Sequence, residues 1–454
     1  MLLIGMKKFI FILPYRTNMK EYLLTKKEDI KTISVVPRET EIVLSKNFVN
    51  SIIGPRRAGK TYFLYHLILN NLKLKEEDYL FINFEEESVK STSRKEIIKC
   101  IQYHQEIYGT LPKYIFFDEI QRFSNWNSWI YELYEKKRFY IFITGSTSKL
   151  LSKEIATELR GRAINIPIFP FSFREVLRLN SFEVKKYLSS YEKGKLLNLL
   201  RKYLETGGFP ALLLDKINPN VFFRDYIDVV VYNDIVERYK VKEPELIKIL
   251  MKFIASSFSS GFSIHKTFNT LKSKGLRVSQ KTLYSYFKYI TNSFFCLPLK
   301  KFSFSERETE LSIPKVYLCD TGVVNYLLQT RLAENVGRLM ENVVFLELKK
   351  RELYGKIQSL FYFKTKEGYE VDFLIKEGLR IKQLIQVTYA NDFDEIDKRE
   401  IRALLKAKEL LKEHKPELIV ITWDYEDERQ VSWFGKKACI KFIPLWKWLL
   451  KLEK

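Results

Sequence analysis

The first third of the chain alternates short apolar runs with longer mixed segments. Between residues 48 and 168, each run is rich in β-branched and aromatic residues, and the segments between them are long enough for crossover helices. This alternation is typical of a parallel sheet with helices on both faces. It predicts an α/β domain whose five strands are residues 48–53, 79–84, 114–117, 139–144 and 164–168.

The pattern becomes helical from residue 180 to about 240, with a break at Gly207-Gly208-Phe209-Pro210 that marks a turn or a helix boundary. In the next part, the sequence pattern predicts three helices followed by two extended segments. This order matches a winged helix-turn-helix. The helices are residues 246–256, 263–273 and 279–293, and the extended segments are 294–302 and 315–319.

The remainder of the chain predicts a third unit, again of mixed α/β type. It begins with an amphipathic helix around Glu341, and a second helix is predicted at residues 395–414. The predicted strands are residues 359–363, 370–375, 384–387, 418–422 and 438–444.

Composition narrows the class of protein. The 454 residues are 46% hydrophobic and 15% aromatic, which suits two or three domains with their own cores and excludes a wholly disordered chain. The four cysteines are far apart and away from the four histidines, so neither a disulfide framework nor a zinc site is expected. Because no apolar run reaches the roughly 18 residues of a membrane helix, we expect a soluble, cytoplasmic protein without a membrane partner. The net charge of +22 favours a nucleic-acid partner, although a general solubility charge would give the same excess.

The strongest chemical motif is a glycine-rich loop directly after the first predicted strand. It has the spacing G-x-x-x-x-G-K-[ST] and precedes a helical run, which is the context of a phosphate-binding loop. Glycine lets backbone N–H groups point inward at the positive end of the helix dipole. We expect Lys60 to reach the β- and γ-phosphates of ATP and the Thr61 hydroxyl to hold Mg²⁺. The loop consists of Gly54, Pro55, Arg56, Arg57, Ala58, Gly59, Lys60 and Thr61.

Two carboxylates follow the third predicted strand, at the sheet edge where α/β proteins bind ligands. We expect Asp118 to join the Mg²⁺ shell and Glu119 to deprotonate the water that attacks the γ-phosphate. After the fourth strand, Ser146 or Thr144 could bond to that water or to the γ-phosphate, or could simply cap a helix.

Two arginines, Arg160 and Arg162, precede the fifth predicted strand. Either could act in trans as an arginine finger, which would require a homo-oligomer, or could be an ordinary surface charge.

Six motifs carry a family resemblance: residues 54–61, 117–121, 144–146, 160–162, 170–175 and 207–210. Together they resemble prokaryotic AAA-type ATPases of the archaeal-ATPase group, over nearly the whole chain. The resemblance implies a P-loop parallel sheet, a helical lid that contains residues 207–210, a winged helix, and a C-terminal α/β domain related to restriction-endonuclease-like nucleases. The implied domain bounds are 1–175, 176–240, 241–330 and 331–454.

The resemblance also implies where a nuclease site would lie. Restriction-like nucleases hold Mg²⁺ with carboxylates and position the attacking water with a lysine. Glu341, Asp372 and Gln386 occupy the corresponding positions. The sequence departs from the nuclease pattern twice: Gln386 is neutral where a carboxylate is expected, and Thr388 stands where the lysine is expected. Because both departures remove charge, we expect a degenerate, noncatalytic domain that binds DNA or a protein partner. A nearby lysine could restore the chemistry, and the candidates are Lys364 and Lys366.

Residues 246–305 contain ten Lys or Arg and no Asp or Glu. Solvated faces normally mix both signs, so this pattern favours DNA binding, although winged helices also serve as protein contacts. The residues expected to contact DNA are Lys272, Lys274, Arg277, Lys281 and Lys288.

Three functional hypotheses follow. The first is a Mg²⁺-dependent ATPase whose nucleotide state is coupled to DNA binding through the winged helix and the nuclease-like tail. The second is a nucleotide-controlled switch or scaffold for a protein partner, with slow turnover and no DNA role. The third is a metal-dependent nuclease that requires Asp372.

Overall fold

The N-terminal part of the molecule is built on a five-stranded parallel sheet. In this computed structural model of the chain, residues 18–145, 161–185, 187–329 and 332–451 are described. The strands are β1 (Val49–Ile53), β2 (Tyr79–Asn83), β3 (Tyr114–Asp118), β4 (Tyr140–Gly145) and β5 (Ala163–Pro167), in the order β2-β3-β4-β1-β5. The predicted α/β fold class is confirmed.

Both faces of this sheet are covered, because successive side chains of each strand enter different hydrophobic clusters. Ile115 and Phe117 of β3 belong to one cluster with Trp129, whereas Phe116 belongs to another with Phe63. Continuous apolar runs are expected of strands buried on both sides. The helices of this part are α1 (Met19–Thr32), α2 (Lys60–His66), α3 (Glu87–Lys90), α4 (Arg94–Ile98), α5 (Cys100–Tyr108) and α6 (Trp126–Glu135).

The strand order determines which residues meet at the carboxyl edge of the sheet. Strand β4 lies between β1 and β3, with Ile143 opposite Phe117 on one side and Gly145 opposite Ile53 on the other. The end of β4 therefore stands between the loop that follows β1 and the carboxylates that follow β3.

A helical segment follows the sheet. Its longest helix ends at Thr206, and Gly207 takes a left-handed φ of 78° before the next helix begins at Pro210. The helices are α7 (Phe173–Leu179), α8 (Ser190–Thr206), α9 (Pro210–Leu214), α10 (Pro219–Val229), a π-helix (Val230–Val236) and α11 (Glu237–Tyr239).

The middle part combines three helices with a small antiparallel sheet of order β6-β8-β7. A further short helix, α15, lies between β7 and β8. It was not predicted, because its charged sequence has no apolar periodicity. The elements are α12 (Pro244–Ser256), β6 (Ser260–Gly261), α13 (Ile264–Ser273), α14 (Gln280–Asn292), β7 (Cys296–Leu299), α15 (Glu306–Leu311), β8 (Lys315–Leu318) and α16 (Thr321–Leu328).

The C-terminal part is a six-stranded mixed sheet of order β13-β14-β12-β11-β10-β9, flanked by helices. Strand β13 was not predicted, because it is a largely polar edge strand. The elements are α17 (Leu332–Leu353), β9 (Ser359–Lys364), β10 (Glu370–Glu377), β11 (Arg380–Val387), α18 (Lys398–Leu410), β12 (Glu417–Thr422), β13 (Asp427–Trp433), β14 (Lys436–Pro444) and α19 (Leu445–Leu450).

The N-terminal part with its helical segment, the middle part and the C-terminal part pack against one another. One hydrophobic cluster extends from the first sheet through the middle part to the C-terminal sheet. Two hydrogen bonds add to this apolar packing. Arg174 of α7 donates to the carbonyl oxygen of Leu449 (2.6 Å), and the N–H of Phe302 donates to the carbonyl oxygen of Tyr362 (2.7 Å). Among the residues that the structure describes, no helix is both long and apolar enough to cross a membrane.

Alanine substitutions at two glycines of the helical segment should have opposite effects on folding stability. A Cβ on Gly208 would lie 2.3 Å from the carbonyl oxygen of Phe171, so Gly208→Ala should destabilise the fold by about 1–3 kcal/mol. Gly194 is exposed inside α8 with nothing within 4 Å of its added Cβ, so Gly194→Ala should stabilise by about 0.5–1 kcal/mol. Thermal unfolding midpoints should rank Gly194→Ala above wild type and Gly208→Ala below it. A Gly208→Ala midpoint equal to that of wild type would contradict the close backbone approach.

Candidate functional site

Two glycines shape the loop between β1 and α2. Gly54 has φ 150°, and a Cβ there would lie 1.9 Å from the carbonyl oxygen of Ile168. Gly59 has a left-handed φ of 92°, and α2 begins at the next residue. The loop therefore enters the helix with its first N–H groups unpaired by helical bonds, an arrangement that attracts anions.

The ammonium group of Lys60 lies inside this loop. It donates to the carbonyl oxygens of Gly54 (3.1 Å) and Pro55 (3.0 Å), and the side chain is buried. Burial lowers the pKa of Lys60, while the charges of Glu119 and Asp118 act in the opposite direction. Phosphate oxygens are stronger acceptors for an ammonium than carbonyl oxygens, because they carry charge.

The Asp118 carboxylate lies between two threonine hydroxyls. Thr61 Oγ1 donates to Oδ2 (2.7 Å), and Thr144 Oγ1 donates to Oδ1. Burial and the neighbouring Glu119 raise the pKa of Asp118 to about 6. The structure thus brings the loop threonine and the strand-end aspartate into contact, and hydroxyl and carboxylate oxygens are ligands that Mg²⁺ accepts.

Glu119 is held in a strained backbone conformation beside this pair. Its φ of 52° and ψ of 43° are left-handed, which costs about 1–3 kcal/mol for a residue other than glycine. Its N–H donates to Thr144 Oγ1 (2.9 Å), and the Gln121 amide donates to its carboxylate. Thr144 therefore positions both acidic residues. It can do so because β4, which carries it, lies directly beside β3 in the sheet.

Arg38, which no motif indicated, contacts the loop from outside. Its guanidinium donates to the carbonyl oxygens of Ala58 (3.0 Å) and Phe169 (2.6 Å) and to the carboxylate of Glu175 (2.9 Å). Burial would raise the pKa of Glu175, but the charges of Arg38 and Lys350 outweigh it, and the pKa is lowered. Arg38 lies in an irregular segment before β1, where no periodic pattern could mark it.

Two loop arginines reach the helical segment. Arg56 Nε donates to both carboxylate oxygens of Asp234 in the π-helix, at 3.0 and 2.9 Å, and the side chains are 13% and 4% exposed. The Arg57 guanidinium lies 5.2 Å from the ring centre of Phe222 in α10. A buried ion pair and a cation–π contact therefore join the loop to the helices that follow the sheet.

Asp320 joins the same helical segment to the middle sheet. Its carboxylate accepts the N–H groups of Gly208 (2.7 Å) and Gly322 (2.8 Å), and a Cβ on Gly207 would lie 1.8 Å from Oδ1. Burial raises the pKa of Asp320 to about 7. Because Asp320 lies two residues beyond β8, the Gly207-Gly208 turn is fixed directly against the end of that strand.

A second charged cluster lies between β8 and the C-terminal sheet. Lys315 Nζ is 2.6 Å from a carboxylate oxygen of Glu341, 3.0 Å from one of Asp372 and 3.2 Å from one of Glu370. The lysine side chain is 2% exposed. Burial lowers the pKa of an ammonium, but these carboxylates, Glu341 above all, raise the pKa of Lys315 well above its usual value.

The other residues of the expected nuclease motif surround this cluster. Gln386 is buried, and its side-chain oxygen accepts no hydrogen bond from any described residue. Thr388 bonds to Glu400, whose pKa burial raises to about 8. Among the described residues, Lys364 pairs with Glu370 (2.9 Å) and not with Glu341 or Asp372. The cation at the centre is therefore Lys315, which sequence reasoning missed because it belongs to another part of the chain.

The basic residues expected to contact DNA lie on the surface of the middle part. Three are at or after the carboxyl end of α13, and two are on α14 beside Tyr284, which is 55% exposed. None of the five forms an ion pair with a residue that the structure describes. They are Lys272, Lys274, Arg277, Lys281 and Lys288.

Family models match three successive parts of the chain. An AAA domain covers residues 46–177, and two domains of unknown function, DUF8612 and DUF4143, cover residues 197–334 and 336–448. An uncharacterized protein of Methanocaldococcus jannaschii is 38% identical over 434 residues, which are 95% of each chain. This chain belongs to the same family of AAA-domain proteins. The predicted AAA-type P-loop ATPase domain is thereby confirmed.

Other matches to this AAA-domain protein are more distant. An uncharacterized protein of Haemophilus influenzae is 27% identical over 413 residues, covering 89% of this chain and 95% of that protein. The crystal structure of Cdc6p from Pyrobaculum aerophilum aligns at 14% identity and a TM-score of 0.26, over 66% of this chain and 98% of that one. The Aeropyrum pernix ORC1 protein in complex with DNA aligns at 9% identity and a TM-score of 0.25, over 72% and 95%. Such TM-scores do not define a common overall fold.

The remaining candidate residues of this AAA-domain protein lie elsewhere. Ser146 and Arg160 are outside the described residues. Arg162 precedes β5, at the edge of the sheet opposite the phosphate loop, and donates to the hydroxyl of Tyr131 (2.9 Å) and the carboxylate of Glu135 (2.5 Å). It does not reach the phosphate loop of its own chain.

We expect Asp118→Asn to stabilise the nucleotide-free AAA-domain protein at neutral and alkaline pH. The pKa of Asp118 is about 6 when folded and near 3.8 when unfolded, so the folded state binds more protons between these values. Ionising Asp118 therefore costs stability as pH rises through that window, and asparagine does not titrate.

The thermal midpoint of Asp118→Asn should exceed that of wild type at about pH 8, and the difference should shrink toward pH 4. As a control, Asp427→Asn should bring no gain, because hydrogen bonding from Tyr425 lowers the pKa of this half-buried aspartate. A midpoint of Asp118→Asn below wild type throughout the range would contradict the assignment.

Proposed function

We propose that this chain binds ATP with Mg²⁺, hydrolyses it, and uses its nucleotide state to control contact of the middle and C-terminal parts with DNA. The observation that carries the proposal is the hydrogen bond between Thr61 and Asp118, which joins the phosphate loop to the acid pair at one sheet edge. In an AAA-domain protein, this arrangement favours a triphosphate as the ligand.

In the proposed mechanism, the backbone N–H groups of the loop bind the phosphate oxygens at the positive end of the α2 dipole. Lys60 exchanges the carbonyl oxygens of Gly54 and Pro55 for phosphate oxygens, which gain more from a buried cation. Its stem is already buried, so little side-chain entropy is lost on binding.

The oxygen donors of Thr61 and Asp118 fit Mg²⁺ in number, hardness and charge. When bound, Mg²⁺ neutralises charge on the phosphate oxygens. Asp118 is suited to this role because the arrival of a cation would favour its ionised form, which burial disfavours.

Glu119 is proposed to orient the attacking water and to accept its proton at a carboxylate oxygen. The bonds from Thr144 to its N–H and from Gln121 to its carboxylate hold this side chain in place. A fixed base reduces the entropy lost in reaching the reactive geometry.

Nucleotide state could reach the DNA-binding part through two contacts. Phosphates bound in the loop would compete with Asp234 for the Arg56 guanidinium, and Asp234 belongs to the helical segment. That segment is attached to β8 through the bond from Gly208 to Asp320. A shift of the helical segment would therefore also displace the middle sheet.

The middle part is proposed to be a winged helix, with α14 as its DNA-facing helix. The supporting features are the order of its three helices and small antiparallel sheet and the five exposed cations near α13 and α14. These cations lack ion pairs to described residues, so phosphates would not have to displace a carboxylate.

We propose that the C-terminal part binds without cleaving. The Lys315 ammonium lies between the carboxylates of Glu341 and Asp372, where a restriction-like nuclease would hold its metal. An ammonium already occupies the space between these carboxylates, and a divalent cation would have to displace this buried lysine. The donor set therefore does not fit a resident metal ion, and no nuclease step is assigned to it.

We expect Glu119→Gln to bind ATP but to hydrolyse it about 10²–10⁴-fold more slowly than wild type, since general base catalysis contributes that much. Lys60→Ala should lose nucleotide binding, which calorimetry with ATP and Mg²⁺ would measure. DNA should raise the wild-type hydrolysis rate, and rising salt should abolish the stimulation. Undiminished turnover in Glu119→Gln would refute the role of this residue. A wild-type rate indifferent to DNA would favour the switch or scaffold hypothesis.

Replacing the central lysine of the C-terminal cluster should be costly. Lys315→Ala leaves buried carboxylates uncompensated and should lower the unfolding free energy by about 3–5 kcal/mol. Lys364→Ala is the matched control; its side chain is 45% exposed, and the loss should be about 1 kcal/mol or less. Thermal unfolding measures both. Plasmid cleavage by the wild type that Asp372→Ala abolishes would overturn the noncatalytic assignment.

A further inference from the structure

A second basic surface lies between the middle part and the C-terminal sheet, in a cleft of about 930 Å³. One wall comes from the start of α13 and from the connection between β7 and β8. The opposite wall comes from β9 and β10, and no phosphate-loop residue lines it. The cations that line the cleft are Lys266, Lys301, Arg307, Lys315 and Lys364.

The two carboxylates that line this cleft are already engaged. Glu370 pairs with Lys315 (3.2 Å) and Lys364 (2.9 Å). Glu308 accepts a hydrogen bond from the hydroxyl of Ser303 (2.7 Å). Glu308 keeps its negative charge in this bond, so five cations of the lining face two carboxylates and the net charge of the cleft is positive.

Three of the five cations that line the cleft are not involved in the pairs with Glu370. Lys266, Lys301 and Arg307 form no ion pair with any residue in the described part of the chain. Because cations outnumber carboxylates in the lining, this concave surface has a positive potential and attracts an anion. Lys301 lies at the start of the β7–β8 connection, Arg307 lies in α15 near its middle, and Lys266 lies in α13, so an extended polyanion can contact all three.

The surroundings of the cleft distinguish among polyanions. Phe304 does not line the cleft itself but lies between two serines that do; its side chain is 75% exposed, and its ring contacts the rings of Phe302 and His414. Leu311 of the lining is also 75% exposed. Exposed aromatic rings beside cations provide stacking platforms for unpaired bases. A duplex keeps its bases stacked inside, and an acidic peptide has none. Hydroxyl donors to phosphate are also present, at Ser263, Ser303, Ser305 and Ser312.

We propose that this cleft binds a single strand of nucleic acid, with its phosphates at Lys266, Lys301 and Arg307 and a base against Phe304. The inference rests on the proposed DNA role and extends it to a separate surface. Lys266 and Lys272 lie in the first and last turns of α13, whose ten residues span about 15 Å. One DNA molecule can therefore reach both the cleft and the basic end of α13.

The test is fluorescence anisotropy of a labelled oligothymidine with the full-length protein. The cleft variant carries Lys266→Glu, Lys301→Glu and Arg307→Glu together. It should bind at least tenfold more weakly than wild type. The slope of log affinity against log salt should fall by about 2, because each phosphate contact of a single strand contributes about 0.7.

Two further variants separate site binding from net charge and from misfolding. A control with the same change in net charge carries Lys73→Glu, Lys95→Glu and Lys216→Glu at exposed positions elsewhere, and it should retain most of the affinity. Phe304→Ala should weaken oligothymidine binding about tenfold without changing the salt slope, since it removes stacking and no charge. Thermal midpoints verify that each variant is folded.

The outcomes separate this inference from the proposed function. Equal losses in the cleft variant and the charge control, or competition by polyglutamate as strong as that by oligothymidine, would overturn the cleft. Unchanged oligothymidine binding in the cleft variant with loss in Lys281→Glu would also overturn it and leave the α14 surface standing. Specific loss in the cleft variant, without any stimulation of ATP hydrolysis by DNA, would support the cleft and refute the coupling.

Discussion

The burial of charge is the constraint on which this structure depends. An ionised group that leaves water costs several kcal/mol unless opposite charge or hydrogen bonds replace its hydration. Arg38 and Glu175 satisfy this requirement for each other although 137 positions separate them, and Lys315 satisfies it for Glu341 and Asp372. Each buried cluster therefore fixes two distant parts of the chain relative to each other.

The phosphate loop and the C-terminal cluster are connected through a short series of such contacts. The loop reaches the helical segment through Arg56 and Asp234, and that segment reaches the end of β8 through Gly208 and Asp320. Strand β8 also supplies Lys315. A change in charge at the loop therefore acts on elements that contact the C-terminal sheet, which is the physical basis of the proposed coupling.

The C-terminal part buries a carboxylate cluster against a lysine of the neighbouring sheet. In a metal-dependent nuclease the carboxylates need a divalent cation, which remains exchangeable. Here a lysine from the neighbouring sheet provides the positive charge permanently and joins two parts of the protein. The proposed consequence is a surface that binds nucleic acid without cleaving it.

The sequence by itself determined the local features. Apolar runs specified the five strands of the first sheet, the spacing of Gly54, Gly59 and Lys60 specified a phosphate loop, and Asp118 and Glu119 followed a buried strand. These features depend on periodicity and on neighbouring residues. Tertiary structure alone decided that β4 lies between β1 and β3, so that Thr144 bonds to the acid pair, and that Lys315 enters the carboxylate cluster. Such pairings join residues far apart in the chain, and no local pattern encodes which distant charge will be buried against which.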